Sequence, residues 1–341
     1  MPTPAASPIT FLGTPAFAVP TLRALHGVGY PLHVVTQPDR PAGRGGRLTH
    51  PPVKAAALEL GLPISQPPTL RDPAAVAAIR AGAPAALVVV AYGEILRRDV
   101  LALAAHGCLN VHPSLLPRWR GPTPIPAALL AGDPVTGVTV MLMDAGMDSG
   151  PILAQERVPV GPDETGATLS ARLAERGAAL LVATLARWLD GAIIPQPQDP
   201  AAVTVSRLLR RDDGALDWQC PAEELARQVR AYTPWPGTFT WWAGRRLKVL
   251  SAAAQPRSIG DDLAGALWAA TLPGTVVPLS TPAGDALVAV RAGEGWLALD
   301  QVQLEGRGPV AAIALLAGYP GLAGSTLGGE AAAGLPGGHA E

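Results

Sequence analysis

The stretch LNVHPSLLPRWRGPTPIPAALLAGDPVTGVTVMLMDAGMDSG, residues 109–150, places polar side chains in or next to two apolar runs. Asn110 and His112 lie two positions apart in the first run, so on a strand they face the same side of a sheet. Asp144 directly follows the second run, residues 137–143. Ligands of open α/β sheets bind where the strands end. If both strands end at that edge, the three side chains meet there.

Strand and helix patterns alternate through the first half of the chain. Short apolar runs predict strands at residues 9–13, 32–36 and 86–91. Helical spacing predicts helices at 17–28, 52–60, 73–80, 96–104 and 165–189. This alternation predicts an α/β domain over residues 1–190, with a Rossmann-like, doubly wound, mostly parallel sheet.

The residue composition and the apolar pattern change after residue 190. Residues 191–204 begin with three prolines in ten positions, which favours a linker. A predicted helix at 221–232 is followed by five alternating runs at 238–242, 246–250, 274–278, 286–291 and 296–302. Such short strands between Gly, Pro and Asp turns predict a smaller β-barrel domain over 205–320. We expect residues 321–341 to form a tail that is disordered at its end.

Composition excludes several classes of protein. The 341 residues carry 26 basic and 27 acidic side chains, so the net charge of −1 gives no long-range attraction for a polyanion. No apolar run approaches the roughly 20 residues of a membrane span, and the first ten residues do not resemble a secretory signal. Cys108 and Cys220 are too few for a disulfide scaffold. We expect a cytoplasmic protein without a metal site.

Two glycine-containing segments suggest different roles. Gly13-Thr14-Pro15 lacks the G-x-G-x-x-G spacing of dinucleotide sites, which disfavours a dehydrogenase and leaves a plain strand-to-helix turn as an alternative. The loop TQPDRPAGRGGRLTHPPVK, residues 36–54, contains four basic residues and one acid, Asp39, a formal charge of +3. It is either a solvated surface loop or, as we favour, a functional loop that contacts phosphate groups.

The polar residues of the opening stretch suit acyl transfer. The amide of Asn110 and the imidazole of His112 can donate hydrogen bonds to an oxyanion. Asp144, paired with His112, can orient the imidazole and handle a proton. The alternatives are a core histidine without a catalytic role and an aspartate that caps a turn.

Several motifs resemble a known family. NVHPSLLPRWRG and GVTVMLMDAGMDSGPIL resemble the core of the folate-dependent formyltransferases, in the same order along residues 1–190. FLGTPAFAVP and TQPDRPAGRG resemble the methionyl-tRNA formyltransferases of that superfamily. VRAYTPWPGTFT, residues 229–240, resembles the start of their C-terminal OB-like domain.

The resemblance implies formyl transfer from 10-formyltetrahydrofolate to the α-amino group of methionine on initiator methionyl-tRNA, without a metal. The catalytic Asn, His and Asp of the family match Asn110, His112 and Asp144. Folate contacts are expected from Ser114, Leu115, Leu116, Pro117, Val90, Tyr92 and Gly93. tRNA contacts are expected from Arg44, flanked by Arg40 and Arg47, and from the OB-like domain. The expected enzyme is a monomer whose partners are this tRNA and the folate, with no membrane.

Some departures and alternatives remain open. Gly45-Gly46-Arg47 stands where the family's loop often has lysines, Pro113 stands where some relatives have Gly or Ala, and the second domain has no net basic charge. A sugar N-formyltransferase would use the same three residues but should lack both the PAGRG loop and the Trp-Pro entry to the second domain. A non-catalytic tRNA- or folate-binding protein is the other alternative, disfavoured by the presence of all three catalytic residue types.

Overall fold

A computed structural model of the chain describes residues 7–42, 46–257, 262–280 and 283–328. The chain divides into two compact units. The first comprises Met1–Ala128, Pro134–Gly161 and Thr168–Leu208, and the second comprises Leu129–Asp133, Pro162–Ala167 and Leu209–Glu341.

Strands and helices alternate in the first part of the chain, as the sequence predicts. The strands are β1 (Ile9–Gly13), β2 (Leu32–Val35), β3 (Arg40–Ala42), β4 (Arg47–Thr49), β5 (Ile64–Ser65), β6 (Ala86–Val90), β7 (Cys108–His112), β8 (Val135–Leu142) and β9 (Ile152–Pro159). The helices are α1 (Val19–Gly27), α2 (Pro52–Glu59), α3 (Pro73–Ala81), α4 (Arg98–Leu101), α5 (Pro124–Ala131) and α6 (Gly166–Leu189).

The central sheet of the first unit has the strand order β5-β2-β1-β6-β7-β8-β9. Neighbouring strands from β5 to β7 are parallel, whereas β8 is antiparallel to β7 and β9 is antiparallel to β8. Every residue of β1, β6 and β7 is buried, because apolar clusters cover both faces of the sheet. The predicted α/β fold with a mostly parallel sheet is confirmed, and the antiparallel edge formed by β8 and β9 is additional to that prediction.

Helix α6 packs closely against β7. Its buried apolar stripe includes Leu173 and Leu181, which flank Gly177 along the helix. A Cβ atom at Gly177 would lie 2.7 Å from Cγ1 of Val111, which stands between Asn110 and His112 in β7. The glycine therefore allows the helix to approach the strand that carries the two candidate residues.

Two helices predicted for the first part differ from the structure. The helix predicted at 96–104 is only the single turn Arg98–Leu101. The predicted helix at 17–28 begins with a 3₁₀ turn, Ala16–Ala18, before α1. Strand β9 was not predicted, because most of its residues are partly or fully exposed and form no apolar run.

The predicted linker belongs to the first unit. Gln196 and Ile152 exchange two backbone hydrogen bonds, each 2.8 Å long, so this segment extends the sheet beyond β9. The amide of Thr204 donates to the carbonyl oxygen of Pro117 at 3.3 Å. Residues 191–204 therefore pack on the first unit instead of forming a free connection.

The second unit contains an antiparallel sheet, as expected for its β-rich sequence. Its strands are β10 (Thr238–Trp242), β11 (Arg245–Gln255), β12 (Val276–Ser280), β13 (Ala286–Arg291), β14 (Trp296–Leu304) and β15 (Val310–Ala311), and its helices are α7 (Ala222–Ala231), α8 (Asp262–Ala270) and α9 (Ala312–Gly318). The strand order is β10-β11-β14-β13-β12, with β15 paired to β14. Its core includes the fully buried Leu247, Leu297 and Leu304.

The predicted tail is ordered at its start. Leu322 and Leu327 are buried in the core of the second unit, and the amide of Val276 donates to the carbonyl oxygen of Ser325 at 2.9 Å. The disorder predicted for the end of the tail concerns residues 329–341, which lie outside the described residues. None of the described helices has the length and hydropathy that a membrane crossing requires.

Candidate active site

Asn110 and His112 lie together at the end of β7, as their spacing predicts. Their exposed fractions are 8% and 4%. Asn110 stands between Val89 of β6 and Met141 of β8, and His112 stands opposite Thr139. Two polar side chains thus share one face of a strand that is otherwise apolar.

One nitrogen of the His112 ring is fixed by the backbone. Nε2 of His112 lies 2.9 Å from the carbonyl oxygen of Trp119. A carbonyl oxygen only accepts hydrogen bonds, so Nε2 carries the hydrogen and the neutral ring has its lone pair on Nδ1. The amide of Trp119 in turn donates to Oγ1 of Thr204 at 2.8 Å. The backbone therefore selects the tautomer and leaves Nδ1 as the basic nitrogen.

The acid that faces Nδ1 of His112 is Asp148. Its Oδ2 lies 3.7 Å from Nδ1, and the exposed fractions of the two side chains are 5% for His112 and 19% for Asp148. The amide of Gly121 donates to the same Oδ2 at 2.8 Å. Asp148 has φ +50°, a left-handed backbone that few residue types adopt readily. The carboxylate is thus held in place next to a ring that can accept a proton.

Asp144 does not pair with His112, contrary to our expectation. Its Oδ1 accepts hydrogen bonds from the amide of Gly146 at 3.0 Å and from Oγ of Ser149 at 2.7 Å, and its side chain is exposed. The cause is strand direction: β8 is antiparallel to β7, so residues after β8 lie near the start of β7, where the amide of Met143 bonds the carbonyl oxygen of Cys108. The segment then turns back, so that Asp148 and not Asp144 lies next to His112.

The motif MDAGMDSG therefore contains two aspartates in similar local settings, four positions apart. Each follows a methionine, and nothing in the local pattern distinguishes a turn-capping carboxylate from one that faces a histidine. The direction of β8 was the missing information. A helix between β7 and β8 does not by itself fix that direction.

The segment Ser114–Pro117 is bonded within the first unit. Oγ1 of Thr139 donates to the carbonyl oxygen of Ser114 at 2.6 Å, and the amide of Leu116 donates to that Oγ1 at 3.2 Å. Nε2 of Gln155 donates to the carbonyl oxygen of Leu116 at 2.8 Å. These contacts hold the start of the loop that carries Trp119. Folate contacts of Ser114, Leu115, Leu116 and Pro117 stay a prediction.

A cavity of about 540 Å³ lies where β1, β2 and β6 end. Most of its lining is apolar, with a few polar side chains, and its volume is in the range of small-molecule sites. Its lining residues are Thr14, Pro15, Ala16, Gln37, Pro38, Arg40, Thr49, His50, Pro51, Pro52, Ala91, Tyr92 and Gly93. Tyr92 and Gly93, predicted to contact folate, thus share one cavity with Arg40, predicted to contact tRNA. Val90 is buried at the end of β6.

Burial raises the pKa of the Tyr92 hydroxyl to about 12, and the charge of Glu94 adds to the effect. Tyr92 therefore stays protonated in the physiological range. Its backbone carbonyl accepts a hydrogen bond from Oγ1 of Thr14 at 2.7 Å, which ties the turn after β6 to the turn after β1. Two adjacent walls of the cavity are joined in this way.

The basic loop forms a β-hairpin. Strands β3 and β4 pair from Arg40 opposite Thr49 to Ala42 opposite Arg47. Arg40 and Arg47 are exposed, and Arg44 falls in residues 43–45, outside the described residues. The structure thus places two of the three predicted tRNA contacts on one hairpin, next to the cavity.

Asp39 fastens the base of this hairpin. Its carboxylate accepts hydrogen bonds from Nζ of Lys54 at 2.9 and 2.7 Å and from Nε2 of Gln66 at 2.8 Å, and it pairs with Nδ1 of His50 at 2.8 Å. The hydrogen bonds from Gln66, Lys54 and His50 lower the pKa of Asp39 to about 2. In the sequence, Asp39 is distinguished only as the single acid of residues 36–54.

Metal-ligand groups and thiols are the other chemistry to consider in the residues that the structure describes. Among those residues, no three His, Cys, Asp or Glu side chains are grouped as metal ligands. Burial raises the pKa of the Cys108 thiol to about 12, which fits a strand residue that packs in the core.

Comparison with known proteins agrees with this fold. The family model described as formyl transferase matches residues 9–185, and the model for the formyl transferase C-terminal domain matches residues 208–320. The chain belongs to the formyltransferase family.

Relatives called methionyl-tRNA formyltransferase match most of the chain, and two of them serve as examples. The protein of Roseiflexus sp. (strain RS-1) is 51% identical and covers 97% of this chain and 98% of its own. The protein of Chloroflexus aggregans is 49% identical, and the match covers 91% of this chain and 96% of its own.

Solved structures of lower identity share the fold. HypX from Aquifex aeolicus, in complex with tetrahydrofolic acid, superposes with a TM-score of 0.60 at 16% identity, over 91% of this chain and 46% of that one. The N-formyltransferase from Helicobacter canadensis, in complex with folinic acid and dTDP-3-aminofucose, superposes with a TM-score of 0.62 at 13% identity. The match covers 87% of this chain and 100% of that one. At these identities the likeness concerns the fold alone.

Proposed function

We propose that this chain transfers the formyl group of 10-formyltetrahydrofolate to the α-amino group of methionine on initiator methionyl-tRNA. One structural observation carries the proposal: a histidine with a fixed tautomer faces a carboxylate at the end of a buried strand, with an asparagine on the same face. Near full-length similarity to methionyl-tRNA formyltransferases supports this choice of substrate.

In this proposal Asn110, His112 and Asp148 are the catalytic residues. The amine attacks the formyl carbon, a C–N bond forms, and the carbonyl π electrons move to the oxygen. The side-chain amide of Asn110 donates a hydrogen bond to that oxyanion, which it can do without reorganisation because β7 holds it buried.

His112 carries the proton between the two nitrogens. Nδ1 accepts the proton that the attacking amine loses, and the resulting imidazolium is paired with Asp148 and bonded to the Trp119 carbonyl oxygen. The oxyanion then reforms the carbonyl, the bond to N10 of the folate breaks, and the proton moves from Nδ1 to N10. Every atom and charge returns to its starting state on the protein.

The donor and the acceptor approach from the cavity side in this proposal. The apolar lining and the volume of the cavity fit a flat heteroaromatic ring with a few polar anchors. Tyr92 and Gly93 would contact the donor, along with Val90 and the segment Ser114–Pro117. Arg40 and Arg47, with Arg44, would contact phosphates of the acceptor end.

The second unit and the cellular setting complete the proposal. An OB-like β-rich unit commonly binds nucleic acid, and we assign the remaining tRNA contacts to it. Because initiator tRNA is the acceptor, we place the reaction in the cytoplasm. That the enzyme is a monomer stays a prediction.

Transfer of labelled formyl from 10-formyltetrahydrofolate tests the proposal, with initiator methionyl-tRNA, a UDP-amino sugar and free methionine as parallel acceptors. We expect label on the tRNA alone. Label on the sugar would support formyl transfer but show that the proposed acceptor is wrong. Donor binding without transfer to any acceptor would favour a non-catalytic binding protein.

A further inference from the structure

Gln198 uses every hydrogen-bonding position of its side-chain amide within the first unit. Its Oε1 accepts from Nε and Nη2 of Arg120 at 3.0 and 2.8 Å. Its Nε2 donates to the carbonyl oxygen of Asp148 at 2.8 Å and to that of Gly150 at 2.7 Å. An amide has two donor hydrogens and two acceptor lone pairs, so all four are satisfied.

These bonds close a ring around the candidate acid. Asp148 is held through its carboxylate by the amide of Gly121 at 2.8 Å and through its backbone by Gln198. Arg120, which holds the other end of the Gln198 amide, precedes Gly121 in the chain. The ring joins the loop before Gly121 to the turn that contains Asp148, and Gln198 is the only member from residues 191–204.

The same stretch of chain also holds the other neighbour of His112. Oγ1 of Thr204 accepts from the amide of Trp119 at 2.8 Å, and the amide of Arg120 donates to the carbonyl oxygen of Thr204 at 2.9 Å. The carbonyl oxygen of Trp119 in turn fixes Nε2 of His112. Both groups that contact the imidazole are therefore supported from the segment that follows α6.

We propose that Gln198 is a positioning residue for the proposed formyl transfer: it sets the distance between the Asp148 carboxylate and the His112 ring. Asp148 has a left-handed backbone, which costs free energy and persists only where surrounding contacts hold it. The two hydrogen bonds from Nε2 of Gln198 bracket that turn at Asp148 and Gly150. The inference rests on the proposed function only for its activity readout.

The variant Gln198→Glu isolates the part of the side chain that matters. It has the same shape and keeps an oxygen for Arg120, but it replaces both donors with an oxygen that faces two carbonyl oxygens. Gln196→Ala is the matched control, because Gln196 lies on the same segment and its exposed side chain reaches only the carbonyl oxygen of Ile194 at 3.2 Å.

The first readout is the single-turnover rate of formyl transfer. We expect Gln198→Glu to lower this rate by about tenfold to 10²-fold, as small displacements of catalytic groups do, with little change in KM for the donor. In an Asp148→Asn background the same substitution should change the rate less than about twofold, because two changes that act through one group are not additive. Equal losses in both backgrounds would overturn the proposal.

The second readout needs no reaction. Hydrogen exchange at the Gly121 amide, which donates to Asp148, should be faster in Gln198→Glu than in the wild type, while exchange at Val111 in β7 is unchanged. Gln196→Ala should leave both amides as they are. If Gly121 exchanges at the wild-type rate in Gln198→Glu, the inference is wrong. If the wild type transfers no formyl group, the proposed function fails, and the exchange experiment still decides the role of Gln198.

Discussion

Nδ1 of His112 and Oδ2 of Asp148 are 3.7 Å apart, too far for a direct hydrogen bond and close enough for an ion pair. With Nε2 bonded to the Trp119 carbonyl oxygen, both atoms are acceptors while the imidazole is neutral. Two hydrogen-bond acceptors at this spacing, Nδ1 of His112 and Oδ2 of Asp148, favour a hydrogen-bond donor between them. A neutral amine provides one, and protonation of Nδ1 turns the pair into an ion pair.

Replacement of His112 tests its role as the proton carrier. We expect His112→Ala to lower kcat by about 10²-fold or more, because transfer through a positioned base contributes at least that much. Steady-state formyl transfer measures the effect, with circular dichroism and donor binding as controls of the fold. Near-normal turnover in a folded variant would rule out this assignment.

The hairpin should contribute to tRNA binding through charge. Arg47 is exposed on β4 and does not line the cavity. We expect Arg47→Gln to weaken tRNA binding and to reduce the slope of log K against log salt by about one, as the loss of one phosphate contact does. The dissociation constant of the folate donor should not change. Arg71→Gln, exposed elsewhere in the same unit, is the control, and an equal effect there would refute a specific role for the hairpin.

Asp39 should make folding stability depend on pH in the acid range. Its pKa is about 2 in the folded chain and 3.8 in an unperturbed carboxyl group. A depressed pKa means that its contribution is complete above about pH 4 and disappears as the pH falls towards about 2. We therefore expect Asp39→Asn to lower Tm by a constant amount at neutral pH.

Thermal unfolding at a series of pH values measures this effect. The difference in Tm between the wild type and Asp39→Asn should narrow from about pH 4 downwards. A difference that is the same at pH 3 and pH 7 would show that the carboxylate charge is not what holds the hairpin.

Gly177 should be needed for packing although it lies inside a helix. An isolated helix would gain about 1 kcal/mol from Gly177→Ala. In the folded chain the new Cβ would lie 2.7 Å from Cγ1 of Val111, and overpacking of this kind costs about 1–3 kcal/mol. We expect a lower denaturant midpoint for Gly177→Ala. The loss should be smaller when it is measured in a Val111→Ala background, and an increase in stability would contradict the packing argument.

Much of the fold could be predicted from the sequence because the buried strands are nearly uninterrupted apolar runs. The runs at β1, β6 and β7 have no polar interruption apart from the site residues and one threonine, and strands buried on both faces read this way. The short helix α4 and the edge strand β9 were misjudged for the opposite reason. Their residues are partly exposed, so tertiary contacts and not periodicity decide their structure.

The site was predictable where it depends on spacing within one strand. Asn110 and His112 share a face because the side-chain period of a strand is two. Asp148 was missed because the direction of β8 and a left-handed turn place it, and neither is encoded in the local pattern. Gln198 was missed because a proline-rich segment resembles a linker whether or not it packs.

Single-turnover formyl transfer by Asp148→Asn and Asp144→Asn, measured side by side with saturating donor and methionyl-tRNA, tests the central claim most directly. We expect Asp148→Asn to be slower than the wild type by about 10²-fold or more, and Asp144→Asn to differ by less than about tenfold, since its carboxylate only closes an exposed turn. A large loss in Asp144→Asn with a near-normal rate in Asp148→Asn would contradict the account.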